Sequence, residues 1–412
     1  MYDEISSCRV CANSNLLQVM DLGCMALTGV FPRELNEDVA SGPVQLVLCD
    51  GATGCGLVQL RQSYSLESMY GMNYGYRSGL NASMVAHLES KVESIIALGI
   101  LEPGDLVIDI GSNDATTLKA YPQEIYRLVG IDPTGVKFSE YYPSSITLLP
   151  DFFSKDLILS SVGEEKAKVI TSFSMFYDLE DPVGFAKEVE RVLHPEGVWV
   201  LEQSYLPAML KTNSFDTVCH EHLEFYALQQ IKYICSKAGL RIIDVDFNDV
   251  NGGSFSIVVA KSDSSHMSNL PKISQVLENE EELGIGKVDP WLQFGDRVEA
   301  AKVEFMEFLK QAQARGESVL ALGASTKGNV LLQYFGLSSN QLPAIGEVNE
   351  DKFGSYTPAT LIPIISQQDL LKRDPDYIVI LPWHFKKFFL SLEKLRGRKL
   401  VFPLPKLEVV EV

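Results

Sequence analysis

Apolar and polar positions in the middle of the chain follow a repeated strand-then-helix pattern. Short apolar runs predict buried strands at 106–110, 126–132, 169–174 and 197–202, with helices from about Ala115 and over 182–193. Because alternating strands and helices build a parallel sheet, we predict a Rossmann-like α/β unit here. Two more strand-like runs, 241–247 and 254–260, are expected to add an antiparallel pair at the sheet edge.

The flanking regions follow other patterns. Residues 1–60 lack a regular period and are expected to be irregular, whereas 66–100 has helical spacing. Residues 261–290 are polar and are interpreted as a linker or boundary, followed by an amphipathic helix over about 294–314. A second α/β unit is predicted from a strand at 318–322, a small-residue loop at 323–328, a helix at 330–335 and a strand at 377–381. We therefore predict three parts, over residues 1–65, 66–265 and 266–412.

Composition excludes several classes of partner. The 412 residues carry a formal charge of −19, so a nucleic-acid partner, which needs a basic surface, is not expected. No apolar run approaches the ~20 residues of a membrane span. The start at Met1–Glu4 lacks the features of a secretion signal, so we expect a cytoplasmic protein without a membrane partner. The oligomeric state is left open, and a monomer is compatible with the sequence.

Four cysteines suggest a metal site near the N-terminus. Cys8 and Cys11 form a C-x2-C turn, and Cys49 and Cys55 lie in a second, glycine-containing turn. Paired cysteines on tight turns are typical ligands of structural zinc, and the metal would help fold a segment that is poor in periodic apolar residues. The wider second spacing weakens the pattern, and free thiols are the alternative. Cys24, Cys219 and Cys235 are not expected to be ligands.

A glycine-containing turn after the first central strand predicts a cofactor site. Gly111 lies between Asp109 and Asp114, and Asp132 ends the next strand 23 residues after Asp109. In a Rossmann-like sheet this is where a ribose is held by an acidic residue. Acidic side chains disfavour a pyrophosphate but suit a sulfonium and an ammonium group, which favours S-adenosylmethionine over NAD. The alternative is a simple turn with a helix cap at Ser112, Asn113 or Asp114.

The segment His220-Glu221-His222 lies shortly after the strand that ends near Glu202. Histidine can remove a proton near neutral pH, and a nearby carboxylate can orient it. The spacing is not H-E-x-x-H, so the zinc-protease pattern is excluded. The two readings are a general base and a hydrogen-bonded structural cluster.

Together these motifs resemble the three-part sugar C-methyltransferases that make branched deoxysugars. The matching segments are the cysteine quartet, Tyr74 to Leu80, Phe215-Asp216-Thr217 running into His220 to Leu223, Gly323 to Asn329 and Leu381 to Phe385. The resemblance covers nearly the whole chain. It implies a zinc-binding module, a central class I methyltransferase domain that uses S-adenosylmethionine, and a C-terminal Rossmann-like domain that helps bind a nucleotide-linked keto-sugar.

The resemblance also implies roles for individual residues. The family's catalytic histidine falls on His222 and its partner glutamate on Glu221. For the enolate oxygen we expect Tyr76 as donor, then Tyr74 and His220, with packing at a helix start as the alternative for the tyrosines. The predicted cofactor-binding residues are Asp109, Gly111, Asn113, Asp114, Asp132, Phe153, Ser172 and Ser174. The predicted substrate-binding residues are Tyr74, Arg77, Ser325, Lys327 and Asn329.

Some positions depart from the family pattern, and some alternatives stay open. Cys219 replaces a tyrosine, Tyr177-Asp178 replaces a histidine, and His384 replaces an asparagine. The loop 323–329 could be a plain turn rather than a phosphate site, and Phe153 could be core rather than an adenine contact. Rival functions are O-methyl transfer, dinucleotide-dependent oxidation, which the absence of G-x-G-x-x-G disfavours, and non-catalytic binding of zinc and a nucleotide. The acceptor is expected to be a dTDP- or GDP-linked 4-keto-deoxysugar that is methylated at C-3.

Overall fold

An antiparallel sheet with two long strands forms the N-terminal part of the chain. The computed structural model describes residues 2–64 and 76–412. The strands β1 (Tyr2–Glu4) and β5 (Gln62–Tyr64) form a separate two-stranded sheet, and β2 (Leu16–Ala26), β3 (Ser41–Cys49) and β4 (Val58–Leu60) belong to the larger one. The expectation that residues 1–60 are irregular was therefore wrong. Register shifts at Gln18/Met20 and Asp21/Cys24 interrupt the two-residue period of β2 and hide the strand in the sequence.

A seven-stranded sheet forms the centre of the chain, in the order β12-β13-β10-β9-β6-β7-β8. Its strands, and the short β11 that instead pairs with β4, are β6 (Leu106–Ile110), β7 (Arg127–Ile131), β8 (Ile146–Leu149), β9 (Ala167–Phe173), β10 (Leu193–Ser204), β11 (Glu224–Phe225), β12 (Leu240–Asn248) and β13 (Ser254–Lys261). The first five are parallel, and β13 runs antiparallel to both β10 and β12. The predicted Rossmann-like sheet and its antiparallel edge pair are confirmed.

Helices cover both faces of this sheet because its strands are apolar on both sides. All five residues of β6 are buried, which is typical of a parallel strand between two helical layers. The helices are α1 (Ala82–Ala97), α2 (Thr116–Lys119), α3 (Gly135–Phe138), α4 (Lys155–Val162), α5 (Pro182–Val192), α6 (Leu206–Thr212) and α7 (Leu228–Lys237). The helix predicted over 66–100 is described only from Ala82, where Asn81 caps it by accepting a hydrogen bond from Ser83 N–H.

A second parallel sheet follows two helices, α8 (Leu270–Leu283) and α9 (Asp289–Ala314). Its order is β16-β15-β14-β17-β18-β19, and β19 alone is antiparallel to its neighbour. The elements are β14 (Val319–Leu322), α10 (Thr326–Phe335), β15 (Ile345–Glu347), β16 (Ile364–Ser366), α11 (Gln367–Lys372), β17 (Tyr377–Ile380), α12 (Lys386–Ser391), β18 (Lys399–Phe402) and β19 (Glu408–Glu411).

The stretch 261–290, expected to be a linker or boundary, is not a plain linker, because Leu270–Leu283 form the helix α8. Only Ile273, Val276 and Glu280 of that helix are buried, and its acidic outer face resembles a solvated linker in the sequence. The predicted second α/β unit is confirmed. Among the described residues, no helix combines the length and apolarity that a membrane crossing requires.

One cluster of buried apolar side chains connects the N-terminal, central and C-terminal parts of the chain. It includes Leu46 and Leu48 of β3, Phe215 and Val218 of the segment before His220, and many residues of the C-terminal sheet. Burial of this continuous apolar surface favours a fixed arrangement of the parts. The segment that carries His222 consequently lies where the N-terminal, central and C-terminal sheets meet.

Candidate active site and zinc centre

Four cysteine sulfurs converge at one end of the N-terminal sheet. The four sulfur atoms of Cys8, Cys11, Cys49 and Cys55 all lie within 4.8 Å of one another. The Cys8–Cys55 and Cys11–Cys49 sulfur distances are 3.6 and 3.5 Å. Sulfurs about 2.3 Å from a tetrahedral zinc stand about 3.8 Å apart, whereas a disulfide requires about 2.05 Å. The quartet therefore fits a structural zinc ion with four thiolate ligands.

The turn after β6 is built for close backbone approach. Gly111 has a φ of +76°, and a Cβ atom there would lie 3.0 Å from Met175 Cγ, so the position requires glycine. Asn113 also has a left-handed φ, of 48°. Asp109 is 2% exposed and accepts a hydrogen bond from Thr171 Oγ1 at 2.5 Å, while burial raises the pKa of its carboxyl group to about 7. Backbone strain of this kind concentrates at functional sites.

Asp132 holds the turn from the end of the neighbouring strand β7. Its Oδ2 accepts a hydrogen bond from Asn113 N–H at 2.8 Å, and its Oδ1 accepts one from Thr134 N–H at 2.7 Å. The carboxylate is 6% exposed. Asp132 therefore fixes the shape of the turn, at the strand end where a Rossmann-like sheet holds a ribose.

The side chains of Asn113 and Asp114 are directed to the segment 76–79 rather than capping a helix. Asn113 Oδ1 accepts a hydrogen bond from Ser78 N–H at 3.0 Å, and Asp114 Oδ2 accepts one from Gly79 N–H at 3.1 Å. The N-cap position of α2 is Ala115, which has no side-chain cap. The simple capping interpretation of this turn was therefore wrong, and the turn instead anchors the segment 76–79.

The predicted aromatic and basic residues of that segment have different surroundings. Tyr76 is 47% exposed, and its carbonyl oxygen accepts a hydrogen bond from Asn113 Nδ2 at 3.3 Å. The Arg77 guanidinium lies 4.3 Å from the centre of the Tyr141 ring, and its Nε lies 3.8 Å from Asp114 Oδ2. Tyr74 lies outside the described residues.

The remaining predicted cofactor residues lie at the ends of β8 and β9. Ser172 is fully buried, and its Oγ accepts a hydrogen bond from Trp199 Nε1 at 2.9 Å, so its side chain points into the core. Ser174 is exposed, and its N–H donates to Glu202 O at 2.7 Å. Phe153 is half-buried, and its ring centre lies 5.1 Å from that of Phe185. Ser174 and Phe153 thus keep surface that can face a ligand.

His222 has one ring nitrogen committed to the backbone. Its Nδ1 lies 2.7 Å from Thr217 O, and because a carbonyl oxygen only accepts, Nδ1 carries the proton. The Nε2 lone pair is then available as a base. Burial lowers the pKa of His222 to about 4, aided by the Lys327 charge and opposed by Glu221 and the Thr217 hydrogen bond. The neutral, basic form of His222 therefore predominates near pH 7.

His220 and Glu221 make contacts with the N-terminal part of the chain. The His220 ring is fully buried and packs edge-on against Tyr64, with 4.6 Å between ring centres. Glu221 Oε2 lies 3.5 Å from Thr28 Oγ1, against the N-terminal part. Both residues contact the N-terminal sheet or the loop after it, so they tie the segment to that part.

A pocket beside His222 opens between β10 and the segment 215–225. It is a small, partly open hollow lined by His222, Tyr177, Thr217, Tyr205 and Glu224, with apolar walls from Leu206, Met209 and Phe225. The Tyr177 ring centre lies 4.5 Å from that of His222, in an edge-on contact. An apolar pocket with a few convergent polar groups is the usual form of a small-molecule site.

A second, similarly small hollow continues from this pocket toward the C-terminal sheet. It shares Tyr205 and Thr217 with the first and reaches Asn251 and Gly252. Lys327 Nζ donates a hydrogen bond to Asn251 O at 3.0 Å. Burial lowers the pKa of Lys327, and the Asp216 charge opposes this shift. The second hollow therefore has a lining residue, Asn251, that contacts Lys327, a half-buried lysine of α10.

The other residues predicted for the substrate have structural partners on α10. Ser325 caps this helix by accepting a hydrogen bond from Gly328 N–H at 3.0 Å. Asn329 is 1% exposed, and its Nδ2 donates to Thr28 O at 2.7 Å. The helix predicted at 330–335 begins earlier, at Thr326, so the loop predicted over 323–328 is shorter. Lys327 is the member of the set that contacts a lining residue of the second hollow, Asn251.

Three family models match the chain in the order of its three sheets. A zinc-binding domain matches residues 8–70, a methyltransferase domain matches 84–245, and a C-methyltransferase C-terminal domain matches 249–405. The chain therefore carries, in this order, a zinc-binding domain, a methyltransferase domain and a C-methyltransferase C-terminal domain. Its central domain is an S-adenosylmethionine-dependent methyltransferase domain, and the cysteine quartet is its zinc centre.

A relative with the same span supports this assignment. C-methyltransferase NovU of Streptomyces niveus is 29% identical over 419 residues, which cover 98% of this chain and 97% of NovU. Solved methyltransferases overlap the chain only in part. The CcbJ methyltransferase of Streptomyces caelestis is 11% identical, with a TM-score of 0.33 over 42% of this chain and 89% of its own. Magnesium protoporphyrin IX methyltransferase of Synechocystis is 15% identical, with a TM-score of 0.33 over 44% and 87%. These low scores add nothing to the assignment.

The sequence analysis missed an ionic cluster beside the methyltransferase strand ends. Glu202, at 5% exposure, contacts His87, Lys91 at 2.8 Å and Asn248 at 3.0 Å. Burial alone would raise the pKa of Glu202, but the His87 hydrogen bond and the Lys91 charge lower it overall. The cluster pins α1 against β10. The only signal in the sequence was the i, i+4 spacing of His87 and Lys91 on one helical face.

Proposed function

We propose that this C-methyltransferase methylates C-3, the carbon next to the ketone, of a nucleotide-linked 4-keto-deoxysugar. The product would serve branched-sugar biosynthesis. The observation that carries the proposal is the free Nε2 of a neutral His222 in an apolar pocket near the carboxyl ends of the methyltransferase strands. Carbon methylation needs a base that acts on a weakly acidic C–H bond, and a neutral imidazole shielded from water can serve.

His222 would take the proton from the carbon next to the ketone. The C–H electron pair then forms the enolate, which attacks the methyl group while the carbon–sulfur bond breaks. When bound, S-adenosylmethionine supplies that electrophilic methyl group and leaves as a neutral thioether. The Thr217 carbonyl keeps Nδ1 protonated and so holds Nε2 as the proton acceptor. Alignment of the reacting carbons at about 3 Å can contribute roughly 7–11 kcal/mol to catalysis.

The cofactor would lie along the ends of β6, β7 and β9. Gly111 allows close approach, and Asp132 would face the ribose while it holds the turn through Asn113. We keep Asp109, Asp114, Phe153, Ser172 and Ser174 as predicted cofactor residues. Asp114 would contribute indirectly, by holding the segment 76–79 through its hydrogen bond with Gly79. Ser172 would contact the cofactor only with its backbone, because the Ser172 side chain points into the core.

The acceptor would place its sugar beside His222 and its phosphates toward the C-terminal sheet. The second hollow and the hydrogen bond from Lys327 to Asn251 support this direction. Tyr76, with Tyr74, is proposed to donate to the enolate oxygen, and Arg77 to face the acceptor. Glu221, His220, Ser325 and Asn329 would support the site by fixing the segments to which they belong.

Several predictions from the sequence stay open. We keep the division into parts at residues 65/66 and 265/266, the cytoplasmic location, and a dTDP or GDP carrier as predictions. The acidic net charge of −19 supports the absence of a nucleic-acid partner.

The proposal can be tested by mass spectrometry. The protein is incubated with S-adenosylmethionine and each of a panel of dTDP- and GDP-linked 4-keto-deoxysugars. Wild type and His194→Asn, a control on β10, are expected to add one methyl group to at least one sugar. His222→Asn is expected to bind the cofactor and transfer nothing, because an amide keeps the hydrogen bond to Thr217 O but is not a base. Transfer by His222→Asn at the wild-type rate would remove His222 from the mechanism.

A further inference from the structure

A buried arginine lies inside the zinc-binding turn. Arg9 follows Cys8, and its side chain is 2% exposed. Its Nη1 donates to Leu60 O at 2.6 Å, and its Nη2 donates to Ser63 Oγ at 2.7 Å. Its Nε donates to Glu180 Oε2 at 3.0 Å. The guanidinium thus joins the zinc turn to the strands β4 and β5 and to the loop that follows Tyr177.

The same Nε faces Glu224, a wall residue of the His222 pocket. Glu224 Oε1 lies 3.7 Å from Arg9 Nε, and the carboxylate is fully buried. Among residues 2–64 and 76–412, no group donates a hydrogen bond to either Glu224 oxygen. Burial raises the pKa of the Glu224 carboxyl group well above its usual range, and the Arg9 charge opposes that shift, so Arg9 is the cation that faces this group.

Backbone contacts extend this connection to His222. Leu223, its next neighbour, receives a hydrogen bond at its carbonyl oxygen from Leu60 N–H at 2.7 Å and donates through its own N–H to Tyr177 O at 2.9 Å. Leu60 is also held by Arg9. The zinc turn, β4 and the segment 222–225 therefore form one hydrogen-bonded unit.

We propose that Arg9 and Glu224 are a pair of positioning residues that make the order of the His222 segment depend on the zinc centre. When zinc holds the Cys8–Cys11 turn, Arg9 is fixed and keeps Glu224 and Leu60 in place. When zinc is lost, Arg9 is released and the His222 segment loosens. The catalytic meaning of this link rests on the proposed function, but the link itself does not.

Hydrogen exchange followed by mass spectrometry tests the link without any acceptor. The proteins are wild type with and without chelator, Arg9→Met, Glu224→Gln and the double variant. Arg127→Met is the matched control, because Arg127 also pairs with a glutamate, Glu165, but at the surface. In Arg9→Met, zinc content should stay at the wild-type level while exchange in 217–226 rises roughly tenfold or more. Chelation of wild type should reproduce that rise.

The double variant separates a specific pair from general damage. Glu224→Gln removes the acidic group that Arg9→Met leaves without its facing cation, so the double variant should exchange more slowly in 217–226 than Arg9→Met alone. Hydrogen exchange in 106–132 should stay at the wild-type rate in every variant. In Arg127→Met, exchange should stay at the wild-type rate both in 106–132 and in 217–226. Should Arg9→Met fail to fold, Arg9→Lys takes its place, with a smaller rise expected from the lost fork of donors.

A spectroscopic readout distinguishes positioning from simple structural support. The NMR titration midpoint of His222 should move upward in Arg9→Met, because a loosened segment admits water to the ring. Unchanged exchange in 217–226 together with an unchanged His222 midpoint would overturn the proposal. If no keto-sugar accepts a methyl group, the proposed function is wrong, but the expected results for exchange in 217–226 and for the His222 midpoint do not change.

Discussion

Protonation of His222 is the perturbation whose effect can be worked out most directly from the structure. Burial, the largest contribution, and the Lys327 charge lower its pKa from 6.5 to about 4 in the folded protein. Each pKa unit corresponds to about 1.4 kcal/mol, so protonation costs roughly 3 kcal/mol more in the folded than in the unfolded protein. At a pH near 6, only about one folded molecule in a hundred would carry the proton on His222.

The sign of the linked stability change follows from this lowered pKa. Between about pH 6.5 and pH 4 the unfolded chain binds a proton at this position and the folded chain does not. Protons therefore favour unfolding, and the free energy of unfolding falls as the pH drops through this window. His222→Asn lacks this titration, so its stability relative to wild type should improve by about 1.3 kcal/mol between pH 7.5 and pH 5.5.

NMR of the histidine ring protons measures the pKa itself. The chain has six histidines, and the His222 signal is the one missing from His222→Asn. The expected midpoint lies near 4, far below an exposed histidine. A midpoint above about 6 would refute the reasoning, because it would mean that the ring is solvated or paired with a charge. Urea denaturation of both proteins at the two pH values provides the independent check.

Three further predictions concern other parts of the site. Trp383→Phe removes the 2.8 Å hydrogen bond to buried Asp216 and should lower the free energy of unfolding by about 1–3 kcal/mol in urea denaturation; an unchanged midpoint would show that water replaces the indole. Asp132→Ala should weaken S-adenosylmethionine binding by roughly tenfold or more in calorimetry, since the turn loses its hydrogen bond to Asn113, and equal affinity would contradict this role. Chelation of zinc, like Cys49→Ser, should lower the thermal unfolding midpoint by several degrees, and a midpoint insensitive to both would argue against a folded-state zinc ion.

The central sheet was predictable because its strands are short, apolar and separated by helical spacing. The N-terminal sheet was not, because register shifts in β2 break the two-residue period that identifies a strand. The helix α8 was read as a linker since only three of its positions are buried. In both cases tertiary packing, not local pattern, decides the structure.

The residues of the candidate site also fall into those that local spacing predicts and those that only tertiary packing brings together. The cysteine quartet and the turn at Gly111 come from local spacing, so the sequence located both. Glu224 was missed, and Tyr177 was noted only as a departure from the family pattern, because their proximity to His222 depends on how distant segments pack. The contacts of Asn113 with the segment 76–79 also join positions about 35 residues apart, which no periodicity reveals.

The most direct test of the account is the position of the transferred methyl group. Wild type is incubated with S-adenosylmethionine that carries a carbon-13 methyl group and with the keto-sugar that gains mass, and the product is examined by NMR. The account predicts that the labelled carbon is bonded to a ring carbon next to the ketone, and that His222→Asn gives no labelled product. A labelled methyl group on oxygen, or no transfer to any keto-sugar by protein that binds the cofactor, would contradict it.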